Sequence, residues 1–352
     1  MSRRSSGLGL ARAGVLLLAV LLPPGAVGLA QAPAGRRPPG APEAPVAVTL
    51  PPPLKDAHLD RLVGDWVGQT QASGVTYEVT SSCAWVINGQ FLRMDQRAWG
   101  PGMVVEAVWF WRPTKEGYTG WSFNSFGGQA SAKARLEGDA FVMTSIDGHG
   151  NPTRTTSRFV GSDEVVFVEE SGPDAEAKYR KSTEGMYRRA KPEAGPLPSP
   201  PPSTTPLPSG DPWLAGLLGR WSGTETYLEG GRQIAKGFEA DWALGRQFLL
   251  LRFEARPDPA GAPFEVLALW HADAASSGVS ACSFDANGEV SVVGGKSEGE
   301  MLTLTSDDPK YGARRTHVVR KGPEEFAIVR EQDAERDGSY KKVAEAIYRR
   351  KK

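Results

Sequence analysis

The chain has 352 residues, and its 41 Lys plus Arg balance its 41 Asp plus Glu, so the formal net charge is zero at neutral pH. A balanced charge gives no general attraction to nucleic acid or to an anionic membrane surface, and we expect neither as a partner. The length corresponds to two domains of ordinary size.

The first 30 residues have the pattern of a secretory signal peptide. Arg3 and Arg4 precede a short apolar run at 13–22, which ends at Pro23. The run is too short to span a bilayer, so we expect cleavage, no membrane span in the mature chain and export to the periplasm or the exterior. An uncleaved anchor is the alternative. Residues 31–54 are rich in Pro, Ala and Gly and predict a disordered spacer.

The second half of the chain repeats the first. The motif Gly64-x-Trp66-x-Gly68 returns as Gly219-x-Trp221-x-Gly223, and the ending Tyr-Arg-Arg occurs at both 187–189 and 348–350. This repeat predicts one domain at 55–190 and a second at 212–352. The Pro-rich linker 191–211 between them favours an extended backbone, which predicts two domains that are held apart and move independently.

Each domain shows the sequence pattern of short strands. Runs rich in β-branched and aromatic residues, such as 104–111, alternate with turn sequences that recur every eight to twelve residues. This pattern predicts about ten antiparallel strands per domain, in a barrel or a sandwich. Apolar residues at helical spacing predict a short helix before each first strand, at 56–62 and 212–218.

The chain has two cysteines, Cys83 and Cys282, at positions that are not equivalent in the two copies. Each lies two residues before an aromatic residue of a predicted strand, so we interpret both as small buried hydrophobic residues. A disulfide bond between the domains is the alternative, and it needs a Cα separation below about 7 Å.

The Trp of the first strand and an Arg of the last strand form a candidate structural lock. Met186 and Ile347 occupy the same position in the last strands and predict the inward face, so Arg188 and Arg349 would also point inward. These arginines would then lie over Trp66 and Trp221 and bond carbonyls at the closed end of each barrel.

A Gly-x-Trp start with an Arg in the last strand resembles the calycin superfamily, which includes lipocalins and fatty-acid-binding proteins. The remaining motifs resemble a bacterial family of secreted, lipocalin-like domains of unknown function. The first is a Gly-x-Phe-Leu strand, which occurs at 89–92 and, with Arg in place of Gly, at 246–249. The second is a Phe-Asp-x-x-Gly hairpin, which occurs at 284–288 and, with Asn in place of Asp, at 123–127. The resemblance covers nearly all of both copies and implies an all-β fold of two tandem ten-stranded calycin-like barrels.

Catalytic and cofactor motifs are absent from the sequence, and we expect no enzyme activity, cofactor or metal. The four histidines occupy non-equivalent positions; a haem ligand inside the second barrel, His271 or His317, is a weaker alternative. Acidic pairs at 163–164 and 324–325 are interpreted as solvated turn residues.

We therefore expect binding of a small apolar or amphipathic ligand inside a barrel. Domain two aligns Cys282 with Trp121 and Ala272 with Trp111, which predicts more interior room there unless Phe264, Leu267 and Leu269 fill it. The alternative is a module that binds an envelope partner bivalently, with Trp99 or Trp111 exposed on one outer face. The candidate interior contacts are Trp85, Phe91, Trp121, Phe123, Trp242, Phe248, Trp270, Cys282 and Phe284.

Overall fold

The computed structural model describes residues 50–146, 151–172, 179–191, 195–200, 211–256, 263–273, 278–308 and 312–352. The predicted signal peptide, and the spacer up to residue 49, lie outside the described residues. Residues 50–54 contact the first barrel, because Leu54 N donates to Gly89 O at 3.0 Å and Asn88 Nδ2 donates to Pro51 O at 2.9 Å. The prediction of disorder was therefore wrong for this end of the spacer.

The first barrel follows helix α1 (Ala57–Leu62). Its ten strands are β1 (Gly64–Ala72), β2 (Val75–Val86), β3 (Phe91–Gly100), β4 (Met103–Thr114), β5 (Gly117–Asn124), β6 (Gln129–Glu137), β7 (Ala140–Ile146), β8 (Pro152–Val160), β9 (Glu164–Ser171) and β10 (Arg180–Arg189). Each strand pairs antiparallel with the next, and β1 also pairs with β10, so the sheet is closed.

The second barrel follows helix α2 (Pro212–Ala215) and repeats this order. Its ten strands are β11 (Gly219–Tyr227), β12 (Gln233–Ala243), β13 (Phe248–Arg256), β14 (Phe264–Asp273), β15 (Gly278–Asp285), β16 (Val290–Glu298), β17 (Met301–Asp308), β18 (Gly312–Gly322), β19 (Glu325–Asp333) and β20 (Lys341–Arg350). Pairing of β11 with β20 closes it. The predicted fold class, two tandem ten-stranded antiparallel barrels, is confirmed.

Each short helix lies across one end of its barrel and is held by an N-cap. Asp56 accepts bonds from His58 N and Leu59 N, and Asp211 accepts a bond from Leu214 N. Such a cap satisfies amide groups that the first helical turn leaves unpaired. Leu59 and Leu214 are almost completely buried against the barrel interiors, so each helix closes one end of its barrel.

Apolar residues form three clusters, one inside each barrel and one between the barrels. The cluster between the barrels, which we call the inter-barrel cluster, contains Phe91, Phe110 and Phe123 from the first barrel and Phe248 and Phe284 from the second. All five are at most 2% exposed. Because side chains of a strand alternate between its faces, these residues lie outside both barrels while their neighbours point inward.

The contacts of the inter-barrel cluster are related by an exchange of the two barrels. Phe91 and Phe248 occupy equivalent positions, as do Phe123 and Phe284. Phe91 packs edge-on against Phe284 with ring centroids 5.3 Å apart, and Phe123 packs edge-on against Phe248 at 5.5 Å. Phe110 also stacks on Phe284 at 4.3 Å. The expectation of two independently moving domains was wrong, because both present apolar outer faces that bury each other.

Candidate functional site

The arginines that lie over the opening tryptophans are Arg189 and Arg350. The guanidinium carbon of Arg189 is 4.4 Å from the centre of the Trp66 ring, and that of Arg350 is 4.5 Å from the Trp221 ring. Attraction between a guanidinium group and an aromatic face is worth about 0.5–2 kcal/mol. The lock therefore exists in both barrels, but its arginines are Arg189 and Arg350, each one residue after the arginine that we predicted.

Arg188 and Arg349 point outward and pair with carboxylates of the preceding strand. Arg188 Nε lies 2.9 Å from Glu164, and Arg349 Nε lies 3.0 Å from Glu325. Both arginine side chains are about two-thirds exposed or more, at 66% and 71%. Assigning the lock to them was wrong.

The lock arginines differ from the predicted ones because the last strand turns its other face inward. Met186 and Ile347, which we predicted to point inward, are 36% and 49% exposed. Tyr187 and Tyr348 point inward instead and pack in the barrel interiors. Side chains two residues apart share a face, so the inward arginines are the ones that follow these tyrosines by two positions.

The lock also bonds the backbone at the closed end of the first barrel. Arg189 donates from Nη1 to Val63 O and from Nη2 to Arg61 O, each at 2.7 Å, and Trp66 Nε1 donates to Leu62 O at 2.8 Å. These carbonyls belong to the end of α1, so the lock fixes the helix across the barrel. Its counterparts in the second barrel are Arg350 Nη1 to Leu218 O at 2.5 Å and Trp221 Nε1 to Leu217 O at 2.8 Å.

Three of the nine candidate interior contacts point into a barrel. Trp85 packs against the interior of the first barrel, and Trp242 and Trp270 pack within the second. The other six belong to the inter-barrel cluster or pack against it, so their assignment to a barrel interior was wrong. They are Phe91, Trp121, Phe123, Phe248, Cys282 and Phe284.

The sequence carries a signal for the inter-barrel cluster in β13. Phe248, Leu249, Leu250 and Leu251 are consecutive and all buried. A strand with one face in water alternates apolar and polar residues, whereas a continuous apolar run indicates that both faces are covered. The run therefore indicated a second apolar contact on the outer face of β13.

Strand register also corrects the comparison of tryptophans between the two copies. Trp111 lies opposite Leu92, and Trp270 lies opposite the equivalent Leu249, so Trp270 and not Ala272 is the counterpart of Trp111. Trp121 faces outward, so its replacement by Cys282 does not change the volume inside a barrel. The prediction of extra room in the second barrel from these two replacements was therefore wrong.

The interior of the first barrel is the more accessible one. At five inward positions around the middle of the barrels, the first barrel has partly exposed side chains, and the second barrel has residues that are at most 9% exposed. Ser157 and Gly185, which line the same layer, are smaller than their counterparts Val318 and Ala346, and the Phe167 ring packs directly over Gly185. The five pairs are Met94 and Leu251, Trp109 and Ala268, Met143 and Leu304, Phe167 and Ile328, and Tyr187 and Tyr348.

Polar side chains line the open end of the first barrel, above its apolar layer. The hydroxyls of Thr70 and Tyr187 lie 3.5 Å apart, and Gln96 also bonds the Tyr187 side chain. Loss of hydration raises the pKa of Tyr187 to about 12, so its phenol is protonated at neutral pH and can donate. Across the opening, Glu169 accepts bonds from Ser182 Oγ at 3.2 Å and from Thr155 Oγ1 at 3.5 Å.

The two cysteines are buried, as predicted, and both are free. Cys83 lies inside the first barrel, whereas Cys282 lies in the inter-barrel cluster. Neither histidine considered as a haem ligand faces a barrel interior. His271 accompanies the inter-barrel cluster, where its Nδ1 lies 2.7 Å from Gln247 O, and His317 is on the outer face of β18. The haem alternative was therefore wrong for both residues.

His317 belongs to a hydroxyl–imidazole–carboxylate chain that the sequence did not reveal. Thr303 Oγ1 lies 2.9 Å from Nδ1, and Glu331 Oε2 lies 3.2 Å from Nε2. The three residues are on the adjacent strands β17, β18 and β19 and lie flat on the outer face of the sheet. Nucleophilic catalysis also needs a cavity for the substrate and donors for the developing oxyanion, and neither described cavity is lined by these residues.

A cleft of about 1330 Å³ lies outside both barrels, beside the inter-barrel cluster. Its walls carry the ion pairs Arg93–Asp95 at 2.6 Å and Arg97–Glu106 at 3.2 Å, and Gly245 N of the second barrel donates to Glu106 Oε2 at 3.1 Å. Linker residues 197–200 form part of the wall. The linker prediction is therefore corrected for these residues, which lie against the barrels instead of holding them apart.

Comparison with known proteins does not identify a family. Neither a family model nor a curated protein matches the chain. Solved structures that the comparison matches to this chain include an S-type phycobiliprotein lyase from Guillardia theta, at 12% identity over 38% of this chain and 91% of that chain, with a TM-score of 0.29. A protein of unknown function of the DUF3598 family from Nostoc punctiforme has 8% identity, covers 83% and 97%, and has a TM-score of 0.21.

A transferrin-binding protein B mutant from Haemophilus parasuis has 8% identity over 82% of this chain and 77% of that chain, with a TM-score of 0.18. Scores this low assign no function. The architecture of two closed ten-stranded barrels rests on the strand pairing itself. Within the described ranges, no helix is long and apolar enough to cross a membrane, and no three His, Cys, Asp or Glu side chains are grouped to hold a metal ion.

Proposed function

We propose that this chain is an exported, non-catalytic binding protein that holds one small amphipathic molecule inside the first barrel. The observation that carries the proposal is the partly exposed layer of Met94, Trp109, Met143, Phe167 and Tyr187, whose counterparts in the second barrel are buried. A barrel of this size has an interior that is either filled by side chains or holds one small ligand.

The chemistry of the layer defines the ligand class. The stacked rings of Trp109 and Trp111, with centroids 5.5 Å apart, offer an apolar face to the interior. Tyr187, Gln96 and Glu169 provide a donor, an amide and a carboxylate at the open end. An apolar wall with a few converging polar groups is typical of a small-molecule site. The ligand would have an apolar body and a neutral or cationic polar end, since Glu169 is the carboxylate facing it.

Native mass spectrometry of the mature protein, purified from its own exported fraction, tests the proposal first. A molecule released on denaturation or solvent extraction would identify the ligand class. The mass of the mature chain in the same experiment tests cleavage after the predicted signal peptide. A bare protein that also fails to bind a neutral apolar fluorescent probe after delipidation would overturn the proposal.

A matched pair of variants locates the site. Thr155 and Thr316 are equivalent inward residues, opposite Met143 and Leu304. Thr155→Phe fills the first barrel and is expected to weaken probe binding by at least ~10-fold, which corresponds to about 1.4 kcal/mol. Thr316→Phe makes the same change in the second barrel and should leave probe binding unchanged. Equal effects of the two variants would contradict the assignment to the first barrel.

The structure gives less support to a bivalent module for an envelope partner. That alternative predicts exposed Trp99 or Trp111 on one outer face, but Trp111 is 5% exposed inside the first barrel. Bivalent binding also gains most when two domains adjust independently on a linker, whereas these barrels share a buried apolar contact. Retention of an envelope protein by a variant that no longer binds the small ligand would favour this alternative.

A further inference from the structure

A group of charged side chains lies inside the second barrel, at the end opposite α2. Trp221 points inward, and strand alternation places Glu225 and Tyr227 of β11 on the same face. Lys236 of β12 and Arg330 of β19 face them from the neighbouring strands. Glu225 is 1% exposed and Lys236 is 17% exposed, so this group is enclosed by protein, whereas Arg330, at 44%, reaches the opening. We call the group the cationic mouth.

The single carboxylate of the cationic mouth is already shared. Arg330 Nε lies 2.6 Å from Glu225 Oε1, and Lys236 Nζ contacts Glu225 Oε2. The hydroxyl of Tyr227 is 3.4 Å from the same Oε2 and 3.4 Å from Lys236 Nζ. One carboxylate is thus shared by two basic side chains, of which Lys236 is enclosed, and desolvation makes an unbalanced charge costly at its position.

A third basic residue, Arg232, lies at the β11–β12 hairpin beside Tyr227. Tyr227 N donates to Arg232 O at 2.8 Å, so the two residues lie opposite each other and share the inward face. Arg232 Nη2 is buried and has no hydrogen-bond partner within the described part of the chain. A guanidinium nitrogen that is desolvated and unpaired is expensive, and an acceptor at this position would remove the cost.

The excess of cations is a property of the second barrel alone. Burial, and then the nearby Arg330, lower the pKa of Lys236, so a bound anion would favour its charged form. The first barrel has no cation at the equivalent positions, because Lys236 corresponds to Val79 and Arg330 to Glu169. The barrel framework therefore does not require these charges.

We propose that the cationic mouth binds one small oxyanion, a phosphate or a carboxylate, between Arg232, Lys236 and Arg330. Guanidinium groups bind such anions through paired N–H donors, and Tyr227 adds a neutral donor. The layer below is filled, since Phe238 and Tyr348 are 6% and 2% exposed, so the anion lies at the opening and has no room for a long apolar tail. This site is separate from the ligand site proposed for the first barrel.

Isothermal titration of the full-length protein with inorganic phosphate, at low chloride concentration and neutral pH, tests the proposal. Saturable binding of one phosphate per chain is expected, with acetate as the second probe to distinguish a phosphate site from a general carboxylate site. Arg232→Gln should weaken phosphate binding by at least ~10-fold, because it removes a charge-assisted donor pair. The control Arg220→Gln removes a 71% exposed cation of the same barrel and should not change phosphate affinity.

Glu225→Gln distinguishes recognition of an anion from simple damage to the fold. It removes the anion that competes for Lys236 and Arg330, so phosphate should bind several-fold more tightly. A destabilised barrel would instead bind more weakly. The proposal is overturned if the unmodified protein binds neither probe, if Arg220→Gln weakens phosphate binding as much as Arg232→Gln, or if Glu225→Gln lowers the affinity.

Discussion

The coupling of the two barrels predicts a specific non-additivity in stability. Phe284 is completely buried, and its ring lies near four aromatic rings of the first barrel. The centroid distances are 4.3 Å to Phe110, 5.3 Å to Phe91, 5.7 Å to Trp121 and 6.3 Å to Phe123. Removing this ring therefore acts on both barrels at once.

The magnitude follows from burial and ring geometry. Replacing a fully buried Phe by Ala costs about 3–5 kcal/mol, which we expect for Phe284→Ala and for Phe110→Ala. The stacked pair should add about 0.5–1.5 kcal/mol of coupling, so the double variant should lose less stability than the sum of the single variants. Leu302→Ala, at an equally buried position inside the second barrel, is the control and should add to Phe110→Ala within about 0.5 kcal/mol.

Urea denaturation of the three single and two double variants measures these free energies of unfolding. Calorimetry of the same proteins should show one transition for the unmodified protein and two separated transitions for Phe284→Ala, since the barrels then unfold separately. Additive free energies in both double variants would contradict the coupling of the barrels. So would a loss of less than about 1 kcal/mol for Phe284→Ala, because removing a fully buried ring costs more than this.

Three further predictions concern single residues. Arg189→Met should lower the free energy of unfolding by ~1–3 kcal/mol, because it removes bonds to two helix-end carbonyls and a ring contact, whereas the outward Arg188→Met should change it by less than about 0.5 kcal/mol in urea titrations. Burial raises the pKa of Cys83 to about 11 and that of Cys282 to about 12, so a thiol-reactive dye at pH 8 should label neither until denaturant is added; rapid labelling of the native protein would contradict this. Burial lowers the pKa of His58, so the folded state disfavours its protonation; stability should fall as the pH drops below about 6.5, the value in the unfolded chain, and His58→Gln should reduce this pH dependence.

The sequence predicted the architecture well because local signals and the repeat agree. Turn residues set the strand lengths, and the matching motifs at Trp66 and Trp221 located both first strands. The predicted lock arginines were one residue away from the observed ones, because the last strand has large side chains on both faces. Met186 and Tyr187 are equally suitable for an interior by residue type, so only the pairing with neighbouring strands decides which one points inward.

The sites were harder to predict because accessibility depends on side chains that meet across a barrel. Trp109 is larger than its counterpart Ala268, which by itself indicates a fuller first barrel. Trp109 is nevertheless partly exposed, whereas Ala268 is 2% exposed, so the accessibility of the layer depends on the small residues Ser157 and Gly185 of other strands as well. Contacts between positions this far apart in the sequence leave no local pattern. The inter-barrel cluster did leave one, the continuous apolar run at 248–251.

The contact between the barrels explains how two copies of one fold came to differ inside. Phe91 against Phe284 and Phe248 against Phe123 are the same contact with the barrels exchanged, which is the arrangement of a two-fold symmetric dimer. In a dimer of identical chains, each substitution appears in both subunits, so an open interior or a charged mouth would occur twice. When both copies are part of one covalent chain, a substitution changes the interior of one barrel only, and the contact between the outer faces can stay the same. Lys236 in the position of Val79 is therefore compatible with a symmetric interface, since inward residues do not touch it.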